Sequence, residues 1–120
     1  MADEALFVGW GPVVRGREQV ALEIFQETLE FWGQAHRDGR IEGFEPFLLQ
    51  PHGGGLGGFM LVRGQRASLD ELSASPEFTR VIARAGMVVE ELGVVRAYGG
   101  EALGRQMAAF QEASSELAAA

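Results

Sequence analysis

Two apolar runs of strand length lie on either side of a glycine-rich turn between Ile41 and Gly64, and this pairing limits the folds open to the chain. The first run is Phe44-Glu45-Pro46-Phe47-Leu48-Leu49, entered through Ile41-Glu42-Gly43; the second is Phe59-Met60-Leu61-Val62-Arg63. The turn between them is Pro51-His52-Gly53-Gly54-Gly55-Leu56-Gly57-Gly58. Strand, long glycine loop and strand read as a β-hairpin. Pro46 cannot donate a ladder hydrogen bond, so the first of the two strands is expected at a sheet edge.

The flanking segments extend the pattern on both sides. Ala5 to Trp10 is a short, nearly continuous apolar run stopped by Gly11-Pro12, which predicts a central strand covered on both faces. From about Arg17 to Arg37, residues Ala21, Ile24, Phe25, Thr28, Trp32 and Ala35 recur at spacings of three and four, the signature of one helix face, and Gly39 suits its C-terminal cap. After the hairpin, Ser68-Leu69-Asp70-Glu71 matches a capping box. Ser75-Pro76 then restarts a helix, with a stripe of Phe78, Val81, Ile82, Ala85, Val88, Val89 and Leu92 ending at Gly93. Val94 to Tyr98 predicts the last strand. A third helix from Glu101 carries Leu103, Met107, Phe110, Ser114 and Leu117 on one face, with fraying expected at Ala118 to Ala120.

The order is therefore β-α-β-β-α-β plus a helix: α+β, a ferredoxin-like unit with a four-stranded antiparallel sheet and a C-terminal helix, expected to be one domain over residues 1–120. At this length much surface stays uncovered, and a homodimer through the other face or an edge of the sheet is expected.

Composition narrows the function classes. The net charge of −7 argues against nucleic acid or an anionic membrane as partner. All ten basic residues are arginine, so no lysine is present for Schiff-base or P-loop chemistry. The absence of cysteine removes thiolate nucleophiles, disulfides and Cys-ligated metals. No apolar run is long enough to span a bilayer, and Met1 to Leu6 lacks a signal-peptide core, so a cytoplasmic location is expected.

Gly53 to Gly58 formally matches G-x-G-x-x-G, but the loop opens a strand rather than a helix, so it reads as a hairpin turn, with a mobile lid as the alternative. His36 and His52 are the two histidines and the candidates for acid–base catalysis; the alternative places one at a helix end and the other in a loop, both in solvent. No metal-ligand spacing surrounds them, and neither a metal nor a cofactor is expected. Arg63, Arg96 and Tyr98 fall in strands. An inward Arg96 requires a carboxylate, from Glu45 or from an anionic ligand. Trp10 and Trp32 suit the core, or one pocket between sheet and helices.

Element order and lengths resemble the dimeric α/β-barrel superfamily, whose sheets pack face to face in a shared barrel. Asp38-Gly39-Arg40-Ile41, Gly57-Gly58-Phe59-Met60-Leu61-Val62, Ser68-Leu69-Asp70-Glu71-Leu72 and Ser75-Pro76-Glu77-Phe78 resemble YCII-like domains. Those proteins usually carry Asp where Ser75 stands, and the resemblance makes His36 the nearest candidate for their histidine. Members of the superfamily include cofactor-independent monooxygenases, haem-degrading enzymes and lactone isomerases. Three functions follow as expectations. One is a small-molecule binder using Trp10, Trp32, Arg63, Arg96 and Tyr98. A second is a monooxygenase or YCII-like enzyme using His36 or His52. The third is a structural or regulatory homodimer without ligand.

Overall fold

The computed structural model describes residues 4–119. Four strands, β1 (Glu4–Trp10), β2 (Gly43–Leu48), β3 (Gly58–Gly64) and β4 (Gly93–Tyr98), form one antiparallel sheet in the order β2-β3-β1-β4. The nearly continuous apolar run thus becomes the central β1, and Pro46 lies on the edge strand β2, where its missing N–H costs nothing.

The register sorts the side chains into two faces. Leu6, Val8, Met60, Val62 and Val94 point to the helices; Phe7, Val95, Phe59, Phe47 and Leu61 point away. The helix-facing side is the core, where Met60 and Val62 are fully buried beneath Trp32, Leu69 and Leu72. On the opposite side Phe7, Phe59 and Phe47 stack in sequence, with centroids 5.3 and 5.1 Å apart. Gly9 makes this possible. A Cβ there would sit 2.6 Å from the Phe7 ring, so the missing side chain is what lets Phe7 reach Phe59.

Helix α1 (Glu18–Arg37) lays Ile24, Thr28, Trp32 and Ala35 on the core. It ends in a Schellman turn: Arg40 N–H donates to Ala35, Gly39 N–H donates to His36, and Gly39 adopts φ 73°. Buried Ile41 follows and leads into β2.

Two expectations are corrected. Ser68 does not cap a helix: α2 (Arg66–Ser73) begins two residues earlier, after Gln65 in extended conformation, and Ser68 lies within it. Starting there carries Leu69 and Leu72 onto the core, and their burial outweighs a surface cap. The apolar stripe after Ser75 is not one helix either. α3 (Pro76–Ala85) stops at Gly86; Val88 and Val89 follow in a turn, with Val89 bridged to Val13. Backbone bonds from Val14 to Val88 and from Gly11 to Glu90, both 2.8 Å, hold that turn against the segment after β1.

Ser75 caps α3 as its sequence indicates: its Oγ accepts from Phe78 N–H at 3.2 Å and donates to Leu72 at 2.7 Å. The last helix, α4 (Gly100–Ala119), follows β4 after one residue and is helical through Ala119. The remaining residue of the stretch where fraying is expected, Ala120, lies outside the described residues. Among the described residues no helix is long and apolar enough to cross a membrane.

Candidate functional site: an apolar pocket between the sheet and two helices

A cavity of about 400 Å³ opens at the end of the sheet where β1 finishes and β3 begins. Its floor is Val8, Trp10 and Met60; α1 contributes Ala21, Ile24, Phe25 and Thr28 to one wall. Ile82 and Ala85 of α3 and Val88 and Leu92 of the turn before β4 form the other. Val13, Leu22 and Leu48 stand exposed at its rim. Residues of α1 and α3 line the space together, and Arg84 ties the two helices to each other through both Glu27 oxygens at 3.2 Å.

The chemistry of the lining is nearly uniform. Thr28 is its one buried polar side chain, and that hydroxyl donates to Ile24 carbonyl at 2.8 Å, so its proton is already committed. Among the described residues Glu18 is the one ionisable residue of the lining, and it is exposed. Trp10 stands against Phe25 edge to face, with centroids 5.8 Å apart. Its indole lies where a side chain on Gly58 would be: a Cβ at that position falls 2.7 Å from the ring.

The candidate residues named from the sequence are scattered by the fold, and Trp10 alone lines this pocket. Trp32 is fully buried, between Phe31 at 4.9 Å and Phe78 at 5.4 Å. Arg96 faces the helices, and its guanidinium meets Glu4 at 3.2 Å and Asp70 of α2. Glu45 pairs instead with Arg63 on the outward face. Two carboxylates already serve Arg96, so its charge is satisfied within the chain. Tyr98 is exposed at the end of β4, beside Glu4 in the register.

His36 is exposed in the last turn of α1. His52 stays in the glycine loop, where Nε2 lies 2.8 Å from Leu56 carbonyl and Nδ1 accepts from Gly54 N–H at 3.3 Å. With Nδ1 accepting, Nε2 carries the proton and donates it, so both ring nitrogens hold the loop. The loop is also pinned to β1 by Gly57 N–H donating to Trp10 at 2.7 Å. Among the described residues no three or more His, Asp or Glu side chains converge as a metal site would require.

Sequence reasoning named Trp10 and missed the rest of the pocket. Ala21, Ile24, Phe25, Ile82 and Ala85 carry the ordinary periodicity of core faces. The nearest signal was the pair Ala21 and Ala85, small residues on two stripes that would otherwise close on each other.

No family model matches the chain, and no curated protein matches it. Among solved structures, a dimeric protein of unknown function and ferredoxin-like fold from Bacteroides fragilis NCTC 9343 superposes with a TM-score of 0.56 at 12% identity, over 79% of this chain and 95% of that one. SnoaB, a cofactor-independent oxygenase from Streptomyces nogalater, superposes with a TM-score of 0.56 at 18% identity, over 82% of this chain and 95% of its own. At these identities the likeness concerns architecture alone. With four antiparallel strands in the order β2-β3-β1-β4 and α1, α2 and α3 on one face, this chain has the ferredoxin-like α+β fold of both.

Proposed function

We propose that this protein binds a small, uncharged, largely apolar organic molecule in the pocket between β1, α1 and α3, and does so as a homodimer. The observation that carries the reading is the lining itself: about 400 Å³ of space enclosed almost wholly by aliphatic and aromatic side chains. That volume lies in the range of small-molecule sites. An anion has no partner there, because Arg63 and Arg96 are engaged by Glu45, Glu4 and Asp70. The sequence leaves room for an anionic ligand at Arg96; the lining favours a neutral one. The dimer is supported by the apolar outward face of the sheet and by the dimeric neighbour from Bacteroides fragilis.

A second reading is that the bound molecule is oxygenated without a cofactor. It draws on the fold shared with SnoaB and on the apolar lining of the pocket. His36 and His52 lie outside the lining, and Ser75, at the position where YCII-like proteins carry Asp, serves as a helix cap. Binding is therefore placed ahead of catalysis.

The test is titration with the neutral fluorophore N-phenyl-1-naphthylamine, reading its emission and energy transfer from tryptophan. Saturable binding with one site per chain is expected, lost in Ala21→Trp, which fills the cavity from α1. Unsaturable emission, or equal binding by Ala21→Trp with unchanged circular dichroism, would refute the pocket. Oxygen uptake with electron-rich phenols, abolished by the same substitution, separates the second reading from the first.

A further inference from the structure

Of the twenty residues of α4, Ala102 alone is buried. Leu103, Met107, Phe110 and Leu117 recur along one side, and Phe110 and Leu117 are 78% and 79% exposed. The whole chain exposes 7974 Å², where a compact protein of its mass exposes about 6,300 Å². Its radius of gyration is 16.7 Å, against about 14 Å for a compact chain of this length. The molecule measures 55 Å along its longest axis and 24 Å along its shortest.

We propose that α4 is an exchanged arm, which docks through Leu103, Met107, Phe110 and Leu117 on a second copy of this chain while that copy's arm docks in return. The inference rests on the homodimer reading and adds to it the element that crosses between subunits. Three observations select a second copy as the occupant. First, the surplus of about 1,600 Å² per chain exceeds the roughly 800 Å² that each partner gives to a stable interface. Second, α4 leaves the edge strand β4, whose Val95 is exposed on the outward sheet face, so the arm springs from an edge of the face already offered for pairing. Third, the same chain supplies both the stripe and the sheet face with its exposed Phe47 and Val95, so a two-fold axis satisfies both at once. A lone helix of this length, with Gly104, Ser114 and Ser115 in it, is marginal in water and requires a surface to lie on.

The chain contains no cysteine, so a single introduced thiol reports on one site. Two measurements on the full-length protein test the arm. In sedimentation equilibrium, the double variant Met107→Glu with Phe110→Glu is expected to weaken the dimer at least about tenfold, the effect of losing a buried apolar anchor. In the separate variant Phe110→Cys, modification by a maleimide is expected to slow at least about tenfold on going from dilute monomer to dimer, relative to a free thiol. Unchanged dimer affinity with a freely reactive thiol would overturn the arm, as would a thiol protected equally in the monomer, which places α4 on its own body. Phe47→Glu with Val95→Glu separates the two readings. If it dissociates the dimer and the arm variant does not, the dimer stands and the arm falls. A monomeric parent protein overturns both.

Discussion

Trp32 shows how a single side chain can carry both the largest gain and a cost in this core. It is fully buried between Phe31 and Phe78, yet among the described residues its indole N–H has no hydrogen-bond partner. An orphaned donor costs about 1–3 kcal/mol, while truncating a buried tryptophan costs about 3–5 kcal/mol. Trp32→Phe keeps most of the ring contact and removes the orphan, so urea unfolding is expected to show a loss of about 1 kcal/mol or less, well below that of Trp32→Ala. Equal losses in the two variants would mean that the N–H is satisfied in solution. The same local reasoning explains Arg96. The sequence says that an inward Arg96 requires a carboxylate, but neither its face nor its partners can be read from spacing, because Glu4 and Asp70 lie 92 and 26 residues away along the chain.

At the level of helices and strands, the two serines that resemble caps behave differently, and the reason is what lies behind each of them. Ser75 stands before a proline and a helix whose first buried residue, Phe78, takes its place in the core. Ser68 is followed by Leu69, which the core draws in one turn too early for Ser68 to remain outside the helix. Ser75→Ala is expected to cost about 1 kcal/mol and Ser68→Ala less than about 0.5 kcal/mol by chemical denaturation. A reversed order would restore the capping box. The stripe from Phe78 to Leu92 leaves the helix at Ala85 for a related reason. Val88 and Val89 keep helical spacing in the sequence, and both of their N–H groups donate to the Ala85 carbonyl, but the Val88 carbonyl accepts from Val14 N–H across the fold and the next residue, Glu90, donates its N–H to the Pro12 carbonyl. A periodic apolar pattern records which residues are buried and is silent on which backbone groups satisfy one another.

For the molecule as a whole, charge and apolar surface act in opposite directions on assembly. Each chain carries −7, so two copies repel, while the exposed Phe47, Val95 and Phe110 are apolar surface that the proposed dimer would cover. Raising the salt concentration from about 0.02 M to 0.5 M screens the repulsion over a few ångströms, and is expected to tighten the dimer a few-fold. Weakening with salt, measured by sedimentation, would instead mark an interface held by ion pairs between the two chains.

The sequence by itself determined the element order, the central place of Ala5 to Trp10, the edge position of Pro46, and the caps at Gly39 and Ser75, because each depends on neighbours within a few residues. It also determined what chemistry the chain cannot perform with lysine or cysteine. The tertiary structure alone decided which candidates share a site. Trp10 joined the pocket while Trp32 was buried as core, Arg63 and Arg96 found carboxylates, and both histidines remained outside. A pocket is the space left where two stripes fail to close on a sheet. Its volume depends on the angle and separation of α1 and α3, which no spacing along the chain encodes.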